Sequence, residues 1–354
     1  ISAGRHWTNG YRIFFEAQER INADISIDFD EYSDMMKEQK MIGKVIDTLS
    51  QEGKPDYQPD LFVNRDQEVS LVEDKVEQGR LGISIREPLV NFWGVGGNGK
   101  TWLLHHIRNL YRYQSDLFST SDRPTFTIYF DLEEIKADST DQLASFIASY
   151  TAQLQKELID QLPDETIVKK MNSIEVTPTA VTKTLIALSE KYVPLLLFDT
   201  TERIPTDFWP QLEQAFFEPL LDSERILIIL SGRHRAPRWR RVDVRRRAMA
   251  AAEGQVRPFD KQTQREQLVK LGVGAKEAEK FVQAYFPLTG GNPYLAVQLA
   301  IAPDDPSGIL QTYLNDVLDG VPQDLHFYLE KVSPLRFYRL EALRFMLEAD
   351  SEND

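Results

Sequence analysis

Residues 94–101 read GVGGNGKT and fit the pattern G-x-x-x-x-G-K-[ST]. Gly94, Gly96, Gly97 and Gly99 allow the backbone to curl until successive N–H groups converge, and convergent N–H groups select an anion. Lys100 supplies a cation for the terminal phosphates of such a ligand. The Thr101 hydroxyl supplies an oxygen for Mg²⁺, and Asn98 and Trp102 complete the stretch that would touch the ligand. A helix starting near Lys100 would add the positive end of its dipole. With glycine at about 7% of average usage, a chance match in a chain of this length is on the order of one in a hundred. The alternative is a glycine turn without a ligand, and the apolar runs on both sides argue against it.

A phosphate-bound Mg²⁺ also needs an acid from a neighbouring strand. LLLFDTTE places Asp199 where an apolar run ends. Glu202, three residues on, could polarise a water for attack on a terminal phosphate, or it could be an exposed carboxylate. Many hydrolytic enzymes with this loop carry their base directly after the metal acid, and here that place is Thr200. Slow or regulated hydrolysis is the consequence expected. RILIILSGR ends in Arg233, which by strand order would emerge near the terminal phosphate and either sense it or offset transition-state charge. A plain surface arginine is the alternative. His105 and His106 are adjacent on a helix and cannot share a face as a metal pair would, so packing or surface roles are expected.

The elements that must position these groups follow from pattern. LVNFW, TFTIYFDL, VPLLLFD and RILIILSG are compact apolar runs closed by turn residues, as strands buried on both faces of a parallel sheet would be. Between the second and third runs, Leu143, Phe146, Ile147, Tyr150, Leu154 and Leu158 share a helical face up to Pro163. Thr177 and Pro178 begin another helix, running to about Lys191. The expected fold class is therefore α/β, a parallel sheet with helices on both faces. After about residue 256 the strands stop. Asp260 caps one helix closed at Gly272, Ala278, Phe281, Val282 and Tyr285 mark a second, and Asn292 with Pro293 starts a third. GILQTYLNDVLDG, PQDLHFYLEKV and LEALRFML give three more. Residues 1–60 read as a helix around Met41, Val45 and Leu49 followed by a linker.

Composition sets the outer bounds. The chain has 354 residues, 42% hydrophobic and 27% charged, enough for two or three cores. A formal net charge of −14 argues against general binding to nucleic acid. The exception is a basic run within RHRAPRWRRVDVRRR, residues 235–247, which contains Trp239; a solvated face or an acidic partner is favoured over nucleic acid there. With no cysteine, disulfide frameworks, thiol nucleophiles and iron–sulfur clusters are excluded, and a cytoplasmic setting fits. No apolar run is long enough to cross a bilayer as a helix, so no membrane association is expected. The chain starts without Met, which suggests either a piece of a longer polypeptide or a trimmed end. Neither G-x-S-x-G nor H-E-x-x-H occurs.

Taken in order, six segments resemble the signal-transduction ATPases with numerous domains (STAND), P-loop NTPases related to AAA+ proteins and to the NB-ARC modules of immune receptors, here of bacterial type. They are LFVNRDQEVSLV, the glycine loop, LLLFDTTE with DFWPQLEQAFFEPLL, LSGR with Trp239 beyond it, PFDKQTQREQLVKLGV, and LTGGNPYLA. The resemblance covers about residues 61–350. It implies an NTPase core over 61–255, a helical lid over 256–305 and the start of a winged-helix domain over 306–354, with 1–60 as a helical linker. It also implies that Arg65 lies near the nucleotide and that Pro293 packs by the adenine. Asn64 departs from the glycine usual before that arginine, and Thr200 departs from a second acid. An acid three places past the metal acid, as at Glu202, is familiar in one bacterial subset.

The resemblance implies ATP or ADP with Mg²⁺ as ligands and a nucleotide-gated switch in bacterial signalling or defence. ADP would hold one arrangement, and exchange for ATP would allow homo-oligomerisation and activation of an effector. Effector and sensor domains would lie N- and C-terminal on the same full-length chain. The alternative is an AAA+-like ATPase acting on nucleic acid, as a transcription regulator or an origin-recognition or loader protein. A small-molecule kinase is disfavoured by the extent of the C-terminal helices.

Overall fold

The computed structural model describes residues 57–112, 123–134, 141–162, 175–233, 239–302 and 305–318. The helix expected around residues 41–49, Pro163, and all but the first helix of the expected winged-helix region lie outside them. The chain divides into two compact units. One comprises the described parts of Asn64–Gly94 and Lys100–Val256; the other comprises those of Ile1–Val63, Val95–Gly99 and Arg257–Asp354.

The larger unit is built on four parallel strands, β1 (Leu89–Trp93), β2 (Thr125–Asp131), β3 (Val193–Asp199) and β4 (Leu227–Gly232), in the order β1-β4-β3-β2. Every residue of β1, β3 and β4 is buried, so both faces of the sheet are covered. That is why these runs do not alternate in polarity. The strands are the four expected from sequence. Helix α1 (Asp66–Arg80) precedes β1 and α2 (Lys100–Tyr111) follows it across the glycine loop. The connections are α3 (Gln142–Gln161) and α4 (Pro178–Leu188), the latter capped by Thr177, whose side chain accepts from the Ala180 amide. This is an α/β fold of P-loop type.

On one face of the sheet, Phe130, Phe198, Phe146, Tyr150 and Phe216 form an aromatic core with ring centroids 5.0–6.5 Å apart. Phe216 arrives on a helix with a π turn: α5 (Trp209–Leu212), the π turn (Glu213–Phe217) and α6 (Glu218–Asp222). The π turn has a local cause. Pro219 has no N–H to continue the ladder, and the Glu218 amide reaches back five residues to Glu213. After α7 (Val242–Arg247), residues 248–256 run beside β1 through parallel bridges Leu89–Ala248 and Trp93–Gln255. Sequence pattern misses this segment because AMAAAEGQV has almost no β-branched residues to signal a strand.

The second unit is helical: α8 (Lys261–Lys270), α9 (Ala275–Thr289), α10 (Pro293–Ile301) and α11 (Pro306–Leu318). Their apolar faces close on Leu268, Phe281, Tyr285, Leu295, Leu299 and Tyr313, with Val95 of the glycine loop packed against the same core. The caps follow the sequence reading. Asp260 accepts from the Thr263 amide at 2.8 Å and Asn292 from the Leu295 amide at 3.1 Å.

Candidate functional site

In the sheet unit, β1 ends at Trp93 and the Gly94 amide donates to the Gly232 carbonyl at the end of β4. Lys100 opens α2 and folds its side chain back, Nζ donating to the Gly94 carbonyl at 2.9 Å. Burial lowers its pKa to about 8. The charges of Glu202 and Asp199 oppose that shift, and those of Arg233 and Arg65 add to it. Four of the charged side chains selected from sequence thus act on the fifth. Arg65 is buried and lies 3.7 Å from Glu68; burial lowers its pKa as well. Just before it, Asn64 has φ of +34°, the left-handed region where asparagine is among the few tolerated side chains. The glycine expected there and the asparagine present answer the same backbone need. Thr101 and Trp102 are half-buried in the first turn of α2.

Asp199 is buried at the end of β3, and its carboxylate is held twice: Oδ2 by the Tyr129 hydroxyl at 3.1 Å and Oδ1 by the Thr200 amide at 2.9 Å. Burial and the Asp199 charge raise the pKa of Tyr129, so it stays a donor. Its ring lies 4.6 Å from that of His105 and beneath the Arg108 guanidinium at 5.9 Å, and Arg108 pairs with the buried Glu157. His105 is therefore a packing residue on Tyr129. Tyr129 itself was not singled out from sequence; the only signal was its place two residues before the end of β2, the strand beside β3.

A carboxylate keeps about four lone-pair sites, so two donors leave Asp199 oxygen capacity. Carboxylate and hydroxyl, the groups of Asp199 and Thr101, are hard oxygen donors of the kind Mg²⁺ takes. Among the described residues, no cluster of three or more His, Cys, Asp or Glu is placed to hold a metal.

Glu202 follows on a single 3₁₀ turn, Thr201–Arg203, and is largely shielded, its side chain 17% exposed. Its Oε2 accepts from the Arg233 amide at 3.0 Å and its Oε1 lies 3.2 Å from Arg233 Nε. The two residues read separately from sequence as candidate base and candidate phosphate sensor are partners of each other. Gly232 makes the pairing possible. A Cβ there would lie 1.9 Å from Thr201 Oγ1 and 2.9 Å from Glu202 Oε2.

In the helical unit, loop residues Val95–Gly99 turn through Gly97 and Gly99 at φ of +80° and +81°. The Asn98 amide closes the turn on the Val95 carbonyl at 3.3 Å. Asn292 Nδ2 donates to the Gly96 carbonyl at 2.8 Å, and the Tyr294 amide donates to the Gly97 carbonyl at 3.2 Å. Pro293, between them, is buried in the first turn of α10, and its carbonyl accepts from Gln267. The loop contact made by Asn292 was not foreseen, because a helix cap already accounts for an asparagine there.

The basic run has lost much of its freedom. Trp239 is buried, edge-on to Trp209 at 5.7 Å and to Phe217 at 5.9 Å, so it offers no face for stacking on a base. Arg241 pairs with Glu218, and Arg247 with Asp222 at 2.9 Å. The buried Glu213 carboxylate accepts from the Arg240 and Arg241 amides at 2.9 and 2.8 Å. Residues 235–238 lie outside the described set.

No family model and no curated protein matches the sequence. Among solved structures the chain is similar to Cdc6p from Pyrobaculum aerophilum, with 14% identity and a TM-score of 0.44 over 86% of this chain and 84% of that one. It is also similar to RuvB from Thermotoga maritima, with 11% identity and a TM-score of 0.37 over 81% and 83%. A third is in the HORMA:CdnC:Trip13 complex of E. coli MS115-1, with 15% identity and a TM-score of 0.35 over 86% and 91%. At these TM-scores the likenesses carry no argument. No described helix is long and apolar enough to cross a membrane.

Proposed function

We propose that the chain binds ATP and ADP with Mg²⁺ at the glycine loop, hydrolyses ATP slowly and acts as a nucleotide-gated switch. One observation carries the reading: Lys100 is buried on its own loop, within electrostatic reach of Asp199, Glu202, Arg233 and Arg65. Burial makes the Lys100 ammonium costly to keep charged, and the charge-assisted bonds of a polyphosphate would offset that cost. Asp199 and Thr101 would hold Mg²⁺, which when bound neutralises charge on the phosphates. Glu202, held by Arg233, would orient and deprotonate water with its remaining lone pairs. Thr200 in the place of a second acid supports slow hydrolysis.

A switch needs nucleotide to bind two arrangements with different affinity, since equal affinity shifts nothing. Contacts from Asn292 and Tyr294 to the loop carbonyls provide a means of discrimination. Coupling to homo-oligomerisation, to effector and sensor segments, and to signalling or defence is proposed from the resemblance of the six segments, as is the placing of Arg65 and Pro293 by the nucleotide and of a winged helix from about residue 306. The buried Trp239 and the paired Arg241 and Arg247 favour this over action on nucleic acid.

Lys100→Ala tests the site. Calorimetry with ATP and ADP at millimolar concentration should show binding by the wild type and a loss of at least about tenfold in the variant, as expected for removal of a charge-assisted contact. Equal affinities would dismiss the assignment. Turnover stimulated by DNA, with a steep salt dependence, would support the nucleic-acid alternative instead.

A further inference from the structure

Asn292 and Tyr313 meet at one atom of the glycine loop. The Gly96 carbonyl accepts from Asn292 Nδ2 at 2.8 Å and from the Tyr313 hydroxyl at 3.1 Å, and Nδ2 also lies 3.0 Å from that hydroxyl. Asn292 Oδ1 is committed to the Leu295 amide, which fixes the orientation of the carboxamide. Both side chains are buried, at 1% and 7% exposure.

Neither residue type is explained by its local duty. Capping α10 needs only an acceptor, and Asp, Ser or Thr would serve. Asp has no proton to donate, whereas the carboxamide caps with Oδ1 and donates to Gly96 with a separate atom, Nδ2. At position 313 a phenylalanine would fill the apolar core of the helical unit equally well, yet the tyrosine delivers its hydroxyl to the loop. Gly97 is shaped to the same contact, since a Cβ there would lie 2.6 Å from Asn292 Oδ1 and 2.9 Å from Tyr294 Cβ.

The consequence follows from peptide geometry. In a planar trans peptide the C=O and the following N–H point in opposite directions. Holding the Gly96 carbonyl toward Asn292 and Tyr313 therefore turns the Gly97 N–H away from them. The Tyr294 amide fixes the next peptide in the same way.

We propose that Asn292 and Tyr313 are positioning residues that set the Gly96–Gly97 peptide for phosphate, and that through Tyr313 helix α11 registers whether the loop is occupied. A phosphate bound by the Gly97 N–H holds this peptide in the orientation that the Tyr313 bond already sets, so occupancy of the loop and the bond reinforce each other. The inference rests on the nucleotide-binding reading and deepens it, giving the loop a direct connection to residues 306–318.

Two variants separate this role from packing. Tyr313→Phe keeps the ring and removes the hydroxyl; Asn292→Asp keeps the cap and removes the donor. ADP affinity by calorimetry should fall about three- to tenfold in each, as expected for one lost hydrogen bond. Amide exchange over residues 306–318 should slow when ADP binds the wild type and should not respond in Tyr313→Phe. A purely structural tyrosine would alter exchange equally with and without ADP. If the wild type binds ADP, Lys100→Ala does not, and Tyr313→Phe matches the wild type in both readouts, the inference is overturned and the site assignment stands. Failure of the wild type to bind any nucleotide overturns both.

Discussion

Glu202 and Arg233 close on each other through backbone and side chain together: one carboxylate oxygen takes the Arg233 amide at 3.0 Å and the other faces Nε at 3.2 Å. A carboxylate so engaged is held in place, with lone pairs left to take a proton from water. Glu202→Gln keeps an acceptor for the amide and removes the basicity. Turnover should fall about 100-fold or more, within the range for loss of a general base, while ATP affinity stays within about twofold. Phosphate release and calorimetry on the same preparation check this. Unchanged turnover would leave Glu202 as an anchor for Arg233 only.

Gly232 sets the distance between the end of β4 and that turn. An added methyl would meet Thr201 Oγ1 at 1.9 Å, so the 3₁₀ turn must move. Gly232→Ala should destabilise the protein by about 1–3 kcal/mol, the range for overpacking, and lower Tm accordingly. A melting temperature equal to the wild type's would mean that the turn is slack and that its pairing with Arg233 is not enforced by packing.

The strands, the helix caps and the glycine loop were legible because each is encoded locally: an apolar run, a capping side chain three residues before an amide, a spacing of glycines. Lys100, Asp199, Glu202 and Arg233 are selected one at a time for the same reason, whereas Arg65 comes only with the resemblance of the six segments. What escaped depends on residues far apart in the chain. Tyr129 on Asp199 needs the alignment of β2 with β3, and Asn292 on Gly96 spans 196 positions. The run of residues 248–256 beside β1 escaped for a different reason, since backbone pairing there is imposed by its neighbours and not by its own alanines.

Tyr129 should matter through the metal acid. Its hydroxyl fixes Asp199 Oδ2, and a hydrogen bond to a charged group contributes about 1.5–3 kcal/mol. Tyr129→Phe should raise the Mg²⁺ concentration that half-supports ATP binding by about tenfold, with affinity in the presence of EDTA unchanged. Titration of Mg²⁺ against a fixed ATP concentration gives the comparison. An equal loss with and without metal would make Tyr129 a packing residue.

Asp260 gives a pH-dependent contribution in the helical unit. Hydrogen bonds from the Thr263 backbone hold its carboxyl below the usual value of 3.8. A carboxyl depressed in the folded state stabilises fully above its unfolded pKa, and the contribution is lost as pH falls through the folded one. Asp260→Ala should cost about 1 kcal/mol at pH 7, with the gap to the wild type narrowing below about pH 4. Asp260→Asn should recover most of the stability at pH 7. A gap independent of pH would assign the loss to something other than the ionised cap.

Thr200 adopts φ of +59° and ψ of +43° directly after Asp199, a conformation rare for a β-branched residue. The left-handed region costs a residue with a Cβ about 1–2 kcal/mol, and glycine escapes that cost while losing part of the gain to its freer unfolded chain. Thr200→Gly should therefore gain about 0.5–1 kcal/mol and melt a few degrees higher, whereas Thr200→Ala, which loses the branch but keeps the Cβ, should gain less. The strained residue donates its amide to Asp199 Oδ1 and starts the turn that carries Glu202, so relief of strain should loosen both. Higher Tm with slower phosphate release in Thr200→Gly is the expected pair of results. Equal melting of the glycine and alanine variants would show that no strain is stored at this position.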